Sequence, residues 1–157
     1  MTNEQSARDE VKMLWLDGDW NDPFRISDAI EKKYWEQLEK NAKGVYRLIA
    51  LSNKNDFTLQ KLDRVCGVDD TGTLYIGASY VSLLGRLAAV VKTHRPDYVG
   101  RPHQRLSPRL ADRFTERKLA VSWEPTETPW EREHRLLVAY EETFGELPPM
   151  NNQRSVF

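Results

Sequence analysis

Eight consecutive residues, Gly44-Val45-Tyr46-Arg47-Leu48-Ile49-Ala50-Leu51, are dominated by β-branched, aromatic and aliphatic side chains, and the run reads as a strand. A strand needs partners for its backbone N–H and C=O groups. Residues 62–68 are a second strand candidate, and residues 73–77, after the turn signal Asp69-Asp70-Thr71-Gly72, are a third. Together they predict an antiparallel hairpin or meander, with residues 119–123 as a fourth strand. Between and after these segments the apolar period lengthens. Val81, Leu83, Leu84, Leu87, Val90 and Val91 fit a helix and not a strand, and residues 129–144 read as a long final helix closed by Gly145. Asp28 with Glu31 resembles a helix start, and Ile30, Tyr34, Trp35 and Leu38 continue it, so a helix is predicted over 28–42. Pro96, Gly100, Pro102 and Pro108 break the following stretch into loops, with a short helix expected over 108–117. The expected fold class is α+β: a small antiparallel sheet of three or more strands flanked by helices.

A chain of 157 residues suits a single core. Residues 1–10 show no periodicity, whereas Val11, Met13 and Trp15 alternate into the turn signal Asp17-Gly18, followed by Trp20. The reading is a tail, arm and helix over 1–43 packed on a domain spanning 44–157. Cys66 is the only cysteine, which rules out an intrachain disulfide, a thiolate zinc site and a C-x-x-C redox pair. No stretch reaches the roughly 18 apolar residues of a spanning helix, and the N-terminus, MTNEQSARDE, lacks the basic and then apolar pattern of a signal peptide. The expectation is a cytoplasmic protein with no membrane partner.

The net charge of -1 conceals segregation. From Arg86 to Lys118 nine basic residues face three acids, a local +6, and His94 and His103 lie in the same stretch. Lys92, Arg95, Arg101 and Arg105 within it are candidate nucleic-acid contacts. From Glu124 to Glu146 the balance reverses, with seven glutamates against Arg132 and Arg135.

One position on the last helix conflicts with its surroundings. Trp130, Leu137, Tyr140 and Phe144 fall on one stripe, and Glu133 lies within it, three residues after Trp130 and four before Leu137. A carboxylate there needs a cation, a hydrogen-bond network or an outlet to solvent at the stripe's margin.

The tripeptides Gly44-Val45-Tyr46 and Tyr75-Ile76-Gly77, then Arg86 in Leu83-Leu84-Gly85-Arg86-Leu87, then Glu133 and finally Asn151, resemble in order and content the GIY-YIG endonuclease family. The resemblance covers residues 44–151. It implies that the two tripeptides lie on adjacent antiparallel strands. Two departures stand out: 28 residues, Arg47 to Leu74, separate the tripeptides, so an insertion lies between the first two motif strands, and Ala78 occupies a position that is commonly basic in relatives.

The implied chemistry is metal-dependent hydrolysis of DNA phosphodiester bonds, with Tyr46, Tyr75, Arg86 and Glu133 as catalytic residues. Glu133 is the implied sole protein ligand of Mg²⁺ or Mn²⁺, because a hard ion that keeps most of its waters needs few carboxylates. Arg86 supplies an always protonated fork for phosphate oxygens. The resemblance makes Tyr46 the general base or water-orienting group and Tyr75 a supporting donor, with His94 or His103 as the second candidate base because imidazole titrates nearer neutrality. Gly44, Gly77 and Asn151 are implied to be structural or supporting. Each tyrosine and glycine also has a purely structural explanation, as a satisfied core phenol or a strand exit. The alternatives are an inactive module on this scaffold that binds nucleic acid or protein, and an interaction domain using Trp15 and Trp20. Specificity is expected from the insertion, the basic loops, a homodimer or a partner protein.

Overall fold

The strand at Gly44–Ala50 lies at the centre of the sheet. A computed structural model describes residues 15–28, 36–93 and 117–151 of the chain. Within them the strands are β1 (Phe24–Arg25), β2 (Gly44–Ala50), β3 (Leu62–Arg64), β4 (Gly67–Asp69), β5 (Thr73–Ser79) and β6 (Leu119–Pro125). The helices are α1 (Leu83–Thr93) and α2 (Pro129–Phe144), with a 3-10 turn at Ile26–Asp28. The main sheet runs β1-β6-β2-β5, and each of its pairings is antiparallel. The protein is therefore α+β with a small antiparallel sheet.

All seven residues of β2 are buried because both faces of the sheet are covered. Alternation along the strand sorts its side chains. Tyr46 and Leu48 join Tyr75, Val121 and Trp123 against Leu83, Leu87, Val90 and Val91 of α1. Val45 and Ile76 face the other way, against Leu136, Leu137, Tyr140 and Phe144 of α2. Gly145, in the left-handed conformation at φ 78°, closes α2 and donates its N–H to the Glu141 carbonyl.

The N-terminal arm docks on the α2 side. Trp15 packs edge-on against Tyr140, with ring centroids 4.8 Å apart, and against Phe144 at 6.2 Å. The buried carboxylate of Glu124 accepts hydrogen bonds from the Asp19 N–H at 2.7 Å and from Arg132 Nε at 2.7 Å, while Arg132 also pairs with Asp17 at 3.0 Å. Trp15 is buried, and the half-buried Trp20 packs under the Arg47 guanidinium, 5.1 Å from its ring, so both tryptophans contribute to the fold.

Several expectations are corrected. Residues 36–42 form turns and not the end of a helix, because they serve the next element: Leu83 N–H donates to the Ala42 carbonyl at 2.7 Å and Ser82 Oγ to the Lys40 carbonyl at 2.8 Å. The rest of that predicted helix, 29–35, lies outside the described residues, as does 108–116 of the short helix. Residues 62–68 are not one strand of a meander. The segment folds back on itself as the β3–β4 hairpin, because the Cys66 N–H at its tip donates to the Phe144 carbonyl at 2.8 Å and so ties the turn to the end of α2. Consequently β2 pairs directly with β5. Among the described residues no helix is long and apolar enough to cross a membrane.

Candidate active site

Tyr46 on β2 stands opposite Gly77 on β5, and Tyr75 stands opposite Leu48, so the two tyrosines occupy a diagonal on the same sheet face. Their rings lie 5.9 Å apart at 48°. Gly77 makes this possible. A Cβ at that position would stand 2.6 Å from both Cζ and the hydroxyl of Tyr46, so the phenol lies across the glycine toward the outer strand of the sheet. Gly44 has a comparable role, since a Cβ there would meet the Glu124 carbonyl oxygen at 2.3 Å and Leu83 Cδ2 at 2.8 Å. That glycine lets α1 close onto the sheet.

The phenol of Tyr46 feels the charge of each of the other three residues. It is 2% exposed, and burial pushes its pKa far above the ordinary value of 10. The nearby Tyr75 raises it further, both by charge and by a side-chain hydrogen bond; Arg86 acts in the opposite direction, and Glu133 adds a smaller upward push. Tyr75, Arg86 and Glu133 thus all lie within electrostatic reach of one hydroxyl, although they come from β5, α1 and α2. At neutral pH that hydroxyl holds its proton, the upward push of the Tyr75 hydrogen bond marks Tyr46 as the donor to Tyr75, and its oxygen can still accept.

The supporting positions differ in kind. Arg86 is exposed on the first half of α1, where its charged end reaches solvent. Lys92, also exposed, follows it by six residues, which is about 120° away around the helix, so the two cations do not share a face. Glu133 is half-buried at the margin of the α2 stripe. Trp130 does not belong to that stripe: it is 55% exposed, and the buried face of α2 is formed by Pro129, Leu136, Leu137, Tyr140 and Phe144. Asn151 is a brace. Its side chain accepts from the Ile76 N–H and donates to the Ile76 carbonyl, each at 3.0 Å, and its own N–H donates to the Pro148 carbonyl, closing the turn there. His94, Arg95, Arg101, His103 and Arg105 lie outside the described residues.

Comparison with protein-family models, with curated proteins and with solved structures gives no match. Any functional reading therefore rests on the site itself. Among the described residues no three His, Cys, Asp or Glu side chains converge as a metal cage. What the site offers is one carboxylate, one guanidinium and two phenols. This donor set suits a hard divalent ion that keeps most of its waters, and not a fully protein-coordinated one.

A second polar group lies on the opposite face of the sheet, where sequence reasoning had placed nothing. Asp69, fully buried, accepts from Tyr140 at 2.9 Å and from the Thr71 hydroxyl at 2.6 Å. Thr71 and Thr73 hydroxyls are 2.8 Å apart, and Arg47 donates to Thr73 at 2.9 Å. Burial pulls Arg47 down to about 10, opposed by Asp69, and it remains a cation at neutral pH. The sequence signal was available: an arginine in the middle of an otherwise apolar strand.

Proposed function

We propose that the chain is a metal-dependent endonuclease of the GIY-YIG type acting on DNA phosphodiester bonds. The observation that supports this reading is the pair of phenols on one sheet face, Tyr46 and Tyr75 with rings 5.9 Å apart, with Arg86 and Glu133 within electrostatic reach of Tyr46. Hydrolysis needs an oriented water, neutralisation of the phosphoryl oxygens and stabilisation of the leaving oxygen. In this reading Arg86 binds the phosphate with a permanent positive charge. Tyr46 orients the attacking water by a hydrogen bond, and Tyr75 holds the Tyr46 ring. Glu133 would hold Mg²⁺ or Mn²⁺, which supplies positive charge at the phosphate and leaving group when bound. Its presence beside Glu133 would also reverse the sign of that residue's influence on Tyr46, moving the phenol toward ionisation.

Purified protein incubated with Mg²⁺ or Mn²⁺ and duplex, branched and single-stranded DNA tests the proposal. Cleavage that Glu133→Ala abolishes supports it; absence of cleavage of every form, or full cleavage by Glu133→Ala, refutes it. The raised Tyr46 phenol favours a second reading, a nucleic-acid-binding module that does not cut. Salt-dependent DNA binding without turnover in either metal would select that one.

A further inference from the structure

Beside the site stand two large aromatic rings that the fold does not bury. Tyr80 is 48% exposed and Trp130 is 55% exposed, and their rings pack 5.1 Å apart at 41°. Lys43 places its ammonium 4.8 Å from the Tyr80 ring centroid. Single exposed apolar residues are ordinary on a protein surface. A tilted pair in contact, with a cation against one ring, is different, because the rings pack on each other and still leave indole surface open to solvent.

Their location ties them to the site. Lys43 directly precedes Gly44, which pairs with Ser79, and Tyr80 directly follows β5. Trp130 is three residues before Glu133 on α2, hence one turn away on neighbouring helix surface. From Gly77, under the Tyr46 ring, to Tyr80 the chain spans at most about 10 Å. One turn of helix is about 5 Å, so a nucleic-acid strand with its phosphate at Glu133 would carry a neighbouring base within reach of Trp130.

The geometry points to a stacking platform for an unpaired nucleobase next to the scissile phosphate, with Trp130 as the stacking face, Tyr80 as its backing and Lys43 as a cation for the adjoining phosphate. The inference rests on the proposed nuclease reading and deepens it by naming the substrate class: DNA with unpaired bases at the site. The reason is steric. A base inside a duplex has both faces covered by its neighbours, whereas an unpaired base has a free face, and stacking on an aromatic side chain needs no particular base identity. Lys43 also lies 3.9 Å from Glu127, an exposed pair that bound phosphate can replace at small cost.

Fluorescence anisotropy with labelled DNA in the presence of EDTA tests this apart from catalysis, using a blunt duplex, the same duplex with a short unpaired extension, and a single strand. The full-length protein should bind the last two about tenfold more tightly than the blunt duplex. Trp130→Ala and Tyr80→Ala should erase the difference, and Trp130→Phe should retain most of it, with unchanged circular dichroism showing that each variant folds. Equal affinity for all three DNAs, no binding to any of them, or an undiminished preference in Trp130→Ala would overturn the platform. Cleavage in Mg²⁺ without that preference leaves the nuclease reading standing alone. The preference without cleavage leaves the platform standing and removes the hydrolytic reading.

Discussion

At the scale of single residues, the site depends on an atom that is missing. Gly77→Ala would put a methyl 2.6 Å from the Tyr46 hydroxyl, and the ring must move. On the proposed nuclease reading, displacement of that order predicts a loss of cleavage of about 100-fold, against about 1–3 kcal/mol of stability from overpacking, measured by single-turnover cleavage and by urea denaturation. Tyr46→Phe keeps the ring and removes the hydroxyl, and on the proposed nuclease reading cleavage should fall by about 100-fold through loss of water positioning. The same variant has a pH signature. Because Tyr46 is raised above its ordinary value of 10, the folded chain keeps a proton that the unfolded chain releases, so its contribution to stability is complete below about pH 10 and is lost as the pH rises beyond it. Denaturation midpoints between pH 9 and 11 should fall less steeply in Tyr46→Phe than in the parent protein. Tyr46, Tyr75, Arg86 and Glu133 are singled out in the sequence by the resemblance to the GIY-YIG motifs, and Glu133 also by its polarity within an apolar stripe. Trp130 was misplaced because a stripe at helical spacing does not show which of its members the facing layer covers.

At the scale of elements, the outer strand is held by more than its pairing with β2. Asn151 satisfies both main-chain groups of Ile76 on the side of β5 away from β2, as a further strand would, and the Met150 N–H donates to the Leu74 carbonyl at 2.8 Å. Asn151→Ala leaves that N–H and C=O without their partner and should cost about 1–3 kcal/mol, with faster hydrogen exchange at Ile76 as the direct readout. The helix and strand types were largely legible: α2 spans the predicted residues 129–144, β2 lies within 44–51, and β5 and β6 begin at the predicted residues and run two further. The failures at 36–42 and 62–68 share a cause. In both, backbone groups bond to a distant element, Ala42 to the start of α1 and Cys66 to the end of α2, and local periodicity carries no trace of such bonds.

At the scale of the whole molecule, the arm and the two helices clamp one sheet. Trp15 fills the space beside Tyr140 and Phe144, so Trp15→Ala should cost about 3–5 kcal/mol, seen as a lower thermal midpoint. A change in cleavage parallel to this loss and no greater would mark the arm as support for α2, which carries Glu133. The amino-acid sequence determined the alternation of strand and helix, because side-chain period and turn residues act locally and survive without knowledge of neighbours. It also determined the order of the four candidate site residues along the chain. Only the tertiary structure decided that three elements bring those groups within electrostatic reach of one phenol, that Arg47 and Asp69 share a buried network on the far face, and that Tyr80 and Trp130 pack together in the open. Each of these depends on which surfaces are left over once the sheet and helices have packed, and that remainder is a property of the assembled layers.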